Sequence, residues 1–153
     1  MKYARFVLLV LLLGSRQAYS HAGGECLSYE PAVVTLTGTI VRQTFPGPPN
    51  YESIQSGDRA ETYWLLELPQ AVCVDSGVAG ALEDEPKQGI QRIQLVFSDG
   101  KAYSGYRKLL KKRVVATGTL FGSFNIHHRT PVLLFVKTLA AAPRSNQQIA
   151  ISK

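Results

Sequence analysis

A mainly β fold of five strands and one helix is predicted by three observations. Five segments are rich in β-branched and apolar residues and are separated by turn-forming stretches. A single segment, between the third and fourth of these, switches to helical spacing. Glycines interrupt two of the strand patterns at Thr37-Gly38 and Thr117-Gly118, where a small closed sheet needs tight bends. The order β-β-β-α-β-β is that of a small, five-stranded, OB-like Greek-key barrel with its helix between strands three and four. An antiparallel sandwich or an α+β sheet could be built from the same elements.

The first strand is read at Val33–Val41, where Val34, Leu36 and Ile40 alternate with Thr35, Thr37 and Thr39. A stretch from Phe45 to Asp58 follows, broken by three prolines and two glycines, and is read as irregular. Glu61–Leu68 forms the second strand, which stops at Pro69 or runs on to Cys73-Val74. Residues 75–89 read as a loop, with Glu83-Asp84-Glu85 as a solvated acidic run. Ile90–Phe97 is the third strand, placing Ile93, Leu95 and Phe97 on one face and Arg92 and Gln94 on the other. Tyr103, Tyr106, Leu109 and Leu110 then share one side of a helix from Lys101 to about Lys112, after an Asp99-Gly100 turn. Val114–Phe121 and Val132–Lys137 complete the set, and residues 140–153 form a mobile C-terminal tail.

The N-terminus predicts export. Lys2 and Arg5 precede an unbroken apolar run, Phe6–Leu13, and Ala18-Tyr19-Ser20 offers a small-x-small cleavage site. Residues 1–20 are therefore read as a signal peptide, with a second possible cut after Ala22. No run reaches the roughly 20 apolar residues of a membrane-spanning helix. The folded domain is placed at residues 26–139. Cleavage also changes the charge. The formal net charge is +6, from 17 basic and 11 acidic residues. Lys2, Arg5 and Arg16 leave with no acidic companion, so 14 basic residues face 11 acidic ones, a net +3. In an exported chain that modest charge argues against a nucleic-acid partner.

Two cysteines remain, Cys26 and Cys73. An even number in an oxidising compartment predicts a disulfide. The geometry agrees, since the start of one strand and the end of its antiparallel neighbour lie side by side. The bond would close a loop of about 48 residues. There is no CxxC and no Cys/His pair at zinc spacing.

No nucleophile elbow, phosphate-binding glycine loop or His-Glu-x-x-His motif is present. A disulfide would leave no thiol nucleophile. No cofactor is indicated, and the chain reads as a non-catalytic binding module. The acid/base inventory is Asp58, Glu61, His127 and His128. In an OB-like fold, loop 45–60 and loop 122–131 flank the binding face. They would gather Tyr51, Asp58, Glu61, His127, His128 and Arg129 at one mouth. The ligand there would be an unidentified protein, an envelope polymer or a small molecule. The same residues have a structural use, with Asp58 capping backbone N–H groups and a histidine bonding a carbonyl. A third reading is a divalent-metal site, or a metal-dependent enzyme, at Asp58, Glu61, His127 and His128. Adjacent histidines in extended backbone point apart, which counts against one ion held by both. Tyr63 and Trp64 must face opposite sides of strand two. The outward ring could stack on sugars or bases, while a Trp is commonly core. Arg107, Lys108, Lys111, Lys112 and Arg113 form a basic face, a surface for water or for an acidic polymer or lipid.

Several segments together carry a family resemblance. They are Tyr29-Glu30-Pro31 before Val34-x-Leu36-x-Gly38, and Phe45-Pro46-Gly47-Pro48-Pro49-Asn50-Tyr51-Glu52 before Gly57-Asp58-x-x-Glu61. Val115-x-x-Gly118-Thr119-Leu120 and His127-His128-x-Thr130-Pro131-Val132-Leu133-Leu134 complete the set. The chain, from about Cys26 to Val136, resembles a family of short secreted bacterial proteins classed as a domain of unknown function. That family's Gly-His-His-His-Thr-Pro segment is here Asn125-Ile126-His127-His128-Arg129-Thr130-Pro131, short of one Gly and one His. The resemblance implies bacterial origin and export, here to the periplasm, and carries no assigned activity to transfer.

Overall fold

A computed structural model describes residues 25–76 and 84–143. The signal peptide expected at residues 1–20, its alternative cut after 22, and most of the expected tail lie outside these residues. Among the described residues, no helix is long and apolar enough to cross a membrane.

Five strands, β1 (Val33–Pro46), β2 (Ala60–Val74), β3 (Lys87–Val96), β4 (Arg113–Gly122) and β5 (Val132–Ala141), form one sheet. The sheet closes on itself in the order β1-β2-β3-β5-β4. Every neighbouring pair is antiparallel except β3 and β5, which run parallel. The first half of β1 pairs with β4 and the second half with β2, and the exchange falls at Gly38-Thr39. A Cβ at Gly38 would come within 2.5 Å of the Glu67 carbonyl oxygen. One at Gly118 would collide with the Phe135 carbonyl, next to a register shift at Thr117/Gly118. Both glycines sit where backbones approach too closely for a side chain, as the strand patterns predict.

The alternating apolar residues of all five strands point inward. Ile40, Leu66, Ile93, Val114, Leu120 and Leu134 are fully buried in one cluster. Trp64 belongs to that cluster and meets Phe97 and Tyr103 edge to face, with centroids 6.1 and 5.4 Å apart. Tyr63 takes the outer face.

Several boundaries differ from the sequence expectation. β1 continues through Phe45-Pro46, because Phe45 pairs with Glu61 and Pro46 with Ala60. Pro46 is the last residue of the strand, where a missing N–H costs least. The irregular stretch also contains a 3-10 turn, Ile54–Ser56, capped by the Ser53 side chain. β2 instead follows the longer of its two expected courses, to Val74, and passes through Pro69 because its ladder with β3 is interrupted between Glu67↔Arg92 and Val72↔Ile90. β3 begins at Lys87, and β5 runs on to Ala141 opposite Val114.

The helix is shorter than its periodicity suggests. α1 spans Gly100–Tyr106, with Asp99 as N-cap accepting from the Ala102 N–H, and a 3-10 turn Arg107–Leu109 follows. The chain then leaves helical geometry because Ile40 of β1 claims its backbone. The Lys111 N–H donates to the Ile40 carbonyl at 2.8 Å, and the Ile40 N–H donates to the Lys112 carbonyl at 3.2 Å. Lys111 adopts the left-handed region, at φ 60°, to make that turn.

The predicted disulfide is present, with Cys26 and Cys73 Cα atoms 4.8 Å apart. The route to it differs from simple antiparallel pairing. Residues 26–29 lie parallel to the end of β2, through Leu27 and Val74, and parallel to β4, through Tyr29 and Leu120. This segment carries Tyr29, 2% exposed, into the core. The Tyr29 hydroxyl donates to the Glu85 carbonyl, and Asp84 accepts from the Gly122 N–H at 2.9 Å. The acidic run is thus partly anchored rather than simply solvated, and Glu83 lies outside the described residues.

Candidate functional site

The outer face of β1, β2 and β3 alternates out of phase with the core. It presents Gln43 and Phe45 of β1, Tyr63, Leu65 and Glu67 of β2, and Arg92 and Gln94 of β3. Such residues normally face water. Here Leu65 and Gln94 are buried, as is Leu133 beside Gln94 on β5, and neither leucine belongs to the central cluster. The β4–β5 loop, residues 123–131, lies over this row. Gln94 pins it with both ends of its amide. Its Oε1 accepts from the Arg129 N–H at 2.6 Å, and its Nε2 donates to the His127 carbonyl at 3.2 Å. Thr130 adds a third tie, accepting from the Gln94 backbone N–H at 2.9 Å and donating to the Val132 carbonyl.

Pinned in this way, Arg129 becomes the hub of the region. Its Nη2 donates to the Pro46 carbonyl at 3.0 Å and lies 3.4 Å from Glu61 Oε2. Its guanidinium carbon sits 5.5, 5.5 and 5.3 Å from the ring centres of Phe45, Tyr51 and Tyr63, within cation–π range. Its Nε is buried and has no hydrogen-bond partner among the described residues. The Tyr63 hydroxyl donates to the same Glu61 oxygen at 2.7 Å. His127 Nδ1 lies 3.4 Å from that hydroxyl and 3.7 Å from Glu61 Oε2, with its ring edge-on to Tyr51. Gly47 makes room for this carboxylate, since a Cβ there would come within 2.6 Å of Glu61 Cγ.

The electrostatics follow from these contacts. The Tyr63 hydroxyl, with help from His127 and Arg129, holds the Glu61 carboxyl below its ordinary range despite partial desolvation. Burial, and then Glu61, push the Tyr63 phenol up. Glu61 thus stays ionised and Tyr63 stays protonated. The group works as a charge-balanced clamp tying β1, β2 and both loops together.

Of the six residues expected at one mouth, Tyr51, Glu61, His127 and Arg129 come together. The other two do different work. Asp58 faces its own loop, where Oδ1 accepts from the Asn50 N–H at 2.8 Å. Its Oδ2 accepts from the N–H groups of Glu52 and Ser53, at 2.7 and 2.9 Å. These backbone donors, Asn50 and Ser53 foremost, hold its carboxyl low. His128 points away from His127. Its ring lies against Phe124 and Phe121, and its Nδ1 accepts from the Phe124 N–H at 3.1 Å. Burial, then the nearby His127, lowers its pKa. Among the described residues, no three His, Cys, Asp or Glu side chains are grouped to hold a metal ion.

Beside the clamp runs a cleft of about 480 Å³. Phe45, Leu65, Gln91, Arg92, Arg129 and Pro131 are among the residues that line it. Two further hollows continue it along the interrupted β2–β3 ladder, past Glu67 and Leu68 to Thr39 and Arg113. Gln91 borders all three. Sequence reasoning missed Phe45, Gln94 and the cleft. Gln94 gave no signal of its own, since β3 also carries Gln88, Gln91 and Arg92.

Residues 92–140 match a family described as a domain of unknown function (DUF4431). The match includes Gln94 and the whole β4–β5 loop, and stops short of Phe45, Tyr51, Asp58 and Glu61. No curated protein matches the chain.

Proposed function

We propose that this protein is an exported, non-catalytic binding module on an OB-like Greek-key barrel, with its ligand held on the outer β1–β2–β3 face between loop 45–60 and loop 122–131. The strand order β1-β2-β3-β5-β4 and the helix between β3 and β4 support the OB-like reading. The observation that carries the binding role is the cleft beside Arg129, whose walls come from β1 (Gln43, Phe45), from β3 (Gln91, Arg92) and from residues 129–131 of the β4–β5 loop. The acid/base groups nearby support a binding role over catalysis. Asp58 is committed to three backbone N–H groups, and Glu61 to Tyr63 and Arg129. The apolar N-terminal run and the disulfide support export to a bacterial periplasm.

Expression of the full chain in a bacterial host tests both halves. Intact mass of periplasmic material is expected to give a start at His21 or Gly23, and Met1 retained in that pool overturns export. Two-dimensional NMR of the recovered protein, titrated with solubilised envelope material, is expected to shift Gln43, Gln91 and Arg129. Shifts confined to other surfaces, or none, overturn the binding role of this face.

A further inference from the structure

We infer that the cleft takes a linear, carboxylate-bearing glycan, an inference that rests on the binding role proposed for this face. Its shape is the first reason. The hollow beside Arg129 is continued by two more, bordered by Gln91 throughout and by Arg92 in the first two, ending at Arg113. The gap in the β2–β3 ladder between Glu67↔Arg92 and Val72↔Ile90 opens this trough. A trough that follows a strand suits a chain-like ligand better than a compact one.

Its chemistry is the second reason. Gln43, Gln88 and Gln91 line the trough with amides, which both donate and accept and so match sugar hydroxyls. Arg92, Arg113 and Arg129 supply the cations, against Glu67 as the one carboxylate in the lining. Glu61 already neutralises Arg129. Arg92 and Arg113 have no ion-pair partner among the described residues. Arg92 stands opposite Glu67 in the ladder, yet its Nη1 donates to Gln43 Oε1 at 3.1 Å instead. Two unpaired guanidiniums along an amide-lined trough are complementary to carboxylates spaced along a hydroxylated polymer.

Other polymers fit less well. Phe45 is the aromatic of the trough, and its ring already meets Tyr63 and Arg129. That leaves no row of free rings for bases to stack on. A peptide adding as a strand needs a run of free backbone groups. The sheet is closed, Pro69 interrupts the stretch of β2 that leaves the ladder, and Leu27 occupies its end.

The test uses the ¹⁵N-labelled periplasmic protein, titrated with oligogalacturonate, a neutral dextran oligomer and a poly-glutamate peptide. Oligogalacturonate is expected to shift Gln91, Arg92 and Arg113, with affinity falling as salt rises. Arg92→Gln and Arg113→Gln, each with an otherwise unchanged spectrum, are expected to weaken it about tenfold. The neutral oligomer is expected to bind far more weakly. Equal binding of dextran overturns the carboxylate requirement. Tighter binding of poly-glutamate at the same residues overturns the glycan and leaves the face as a binding site. No shift with any probe also overturns the glycan, while the envelope titration judges the face separately. Shifts confined to Arg107–Lys112 overturn both.

Discussion

Asp58 shows how one carboxylate can organise a loop that local sequence leaves irregular. Three backbone N–H groups converge on its two oxygens, within a loop that includes the left-handed Tyr51 at φ 63°. Its carboxyl is held below the ordinary value of about 4. The stability it contributes is therefore complete above that pH and is lost as pH falls toward the depressed folded value. Asp58→Asn is expected to lower the melting temperature by several degrees at neutral pH and to flatten its decline below about pH 4. Thermal unfolding across pH 3–7 checks this, and parallel curves for the two proteins would refute it. Gln94 offers the second residue-scale prediction. Its amide satisfies a backbone donor and a backbone acceptor of the β4–β5 loop from a buried position. Gln94→Ala is expected to cost about 2 kcal/mol. It should also speed amide hydrogen exchange in residues 127–130 more than elsewhere. Uniform acceleration would instead mean a purely global loss of stability.

Elements here are shaped by where backbones must cross. β4 bends beside β5 at Gly118, close against the Phe135 carbonyl. Gly118→Ala must push β5 away or break the ladder locally, an overpacking cost of about 1–3 kcal/mol. Chemical denaturation measures the loss, and an Ala variant as stable as the parent would show that β5 yields freely. The end of α1 follows the same logic. Its apolar spacing continues through Leu109 and Leu110, but bonds between Ile40 and residues 111–112 turn the chain toward β4. Tertiary hydrogen bonds thus outweigh a helical preference that is weak in so short a segment.

For the whole molecule, the Cys26–Cys73 bond fastens the N-terminal segment across the end of the closed sheet. It also closes the long loop containing all of β1 and most of β2. Cys26→Ser together with Cys73→Ser is expected to lower the unfolding free energy by roughly 4 kcal/mol, since about 48 residues regain their freedom in the unfolded chain. Urea titration of the double variant gives the value, and a loss well under 1 kcal/mol would show that the segment is held by its contacts alone. Tyr29 makes such contacts, being buried and bonded to Glu85, so the segment should stay docked in the variant at low temperature.

The sequence by itself determined the five strands, their inward faces, the two glycine bends and the disulfide. Each is written in local spacing or in residue chemistry. Val34, Leu36 and Ile40 recur with the period of a strand, and only glycine fits where Gly38 and Gly118 lie. Two cysteines beside neighbouring strands have one available partner each. The expected fold already gathered Tyr51, Glu61, His127 and Arg129, while tertiary structure alone decided their contacts and added Phe45, Gln94 and the cleft. Arg129 meets Pro46 and Glu61 across more than 65 residues of chain, and Gln94 meets the loop across more than 30. Nothing in the spacing of Phe45, Tyr63 and Arg129 announces that they share one surface. The trough likewise arises because β2 and β3 lose register between Glu67 and Val72, and register belongs to a pair of strands, not to either one. Local periodicity tells each residue which way to face, and packing between distant segments decides what it meets there.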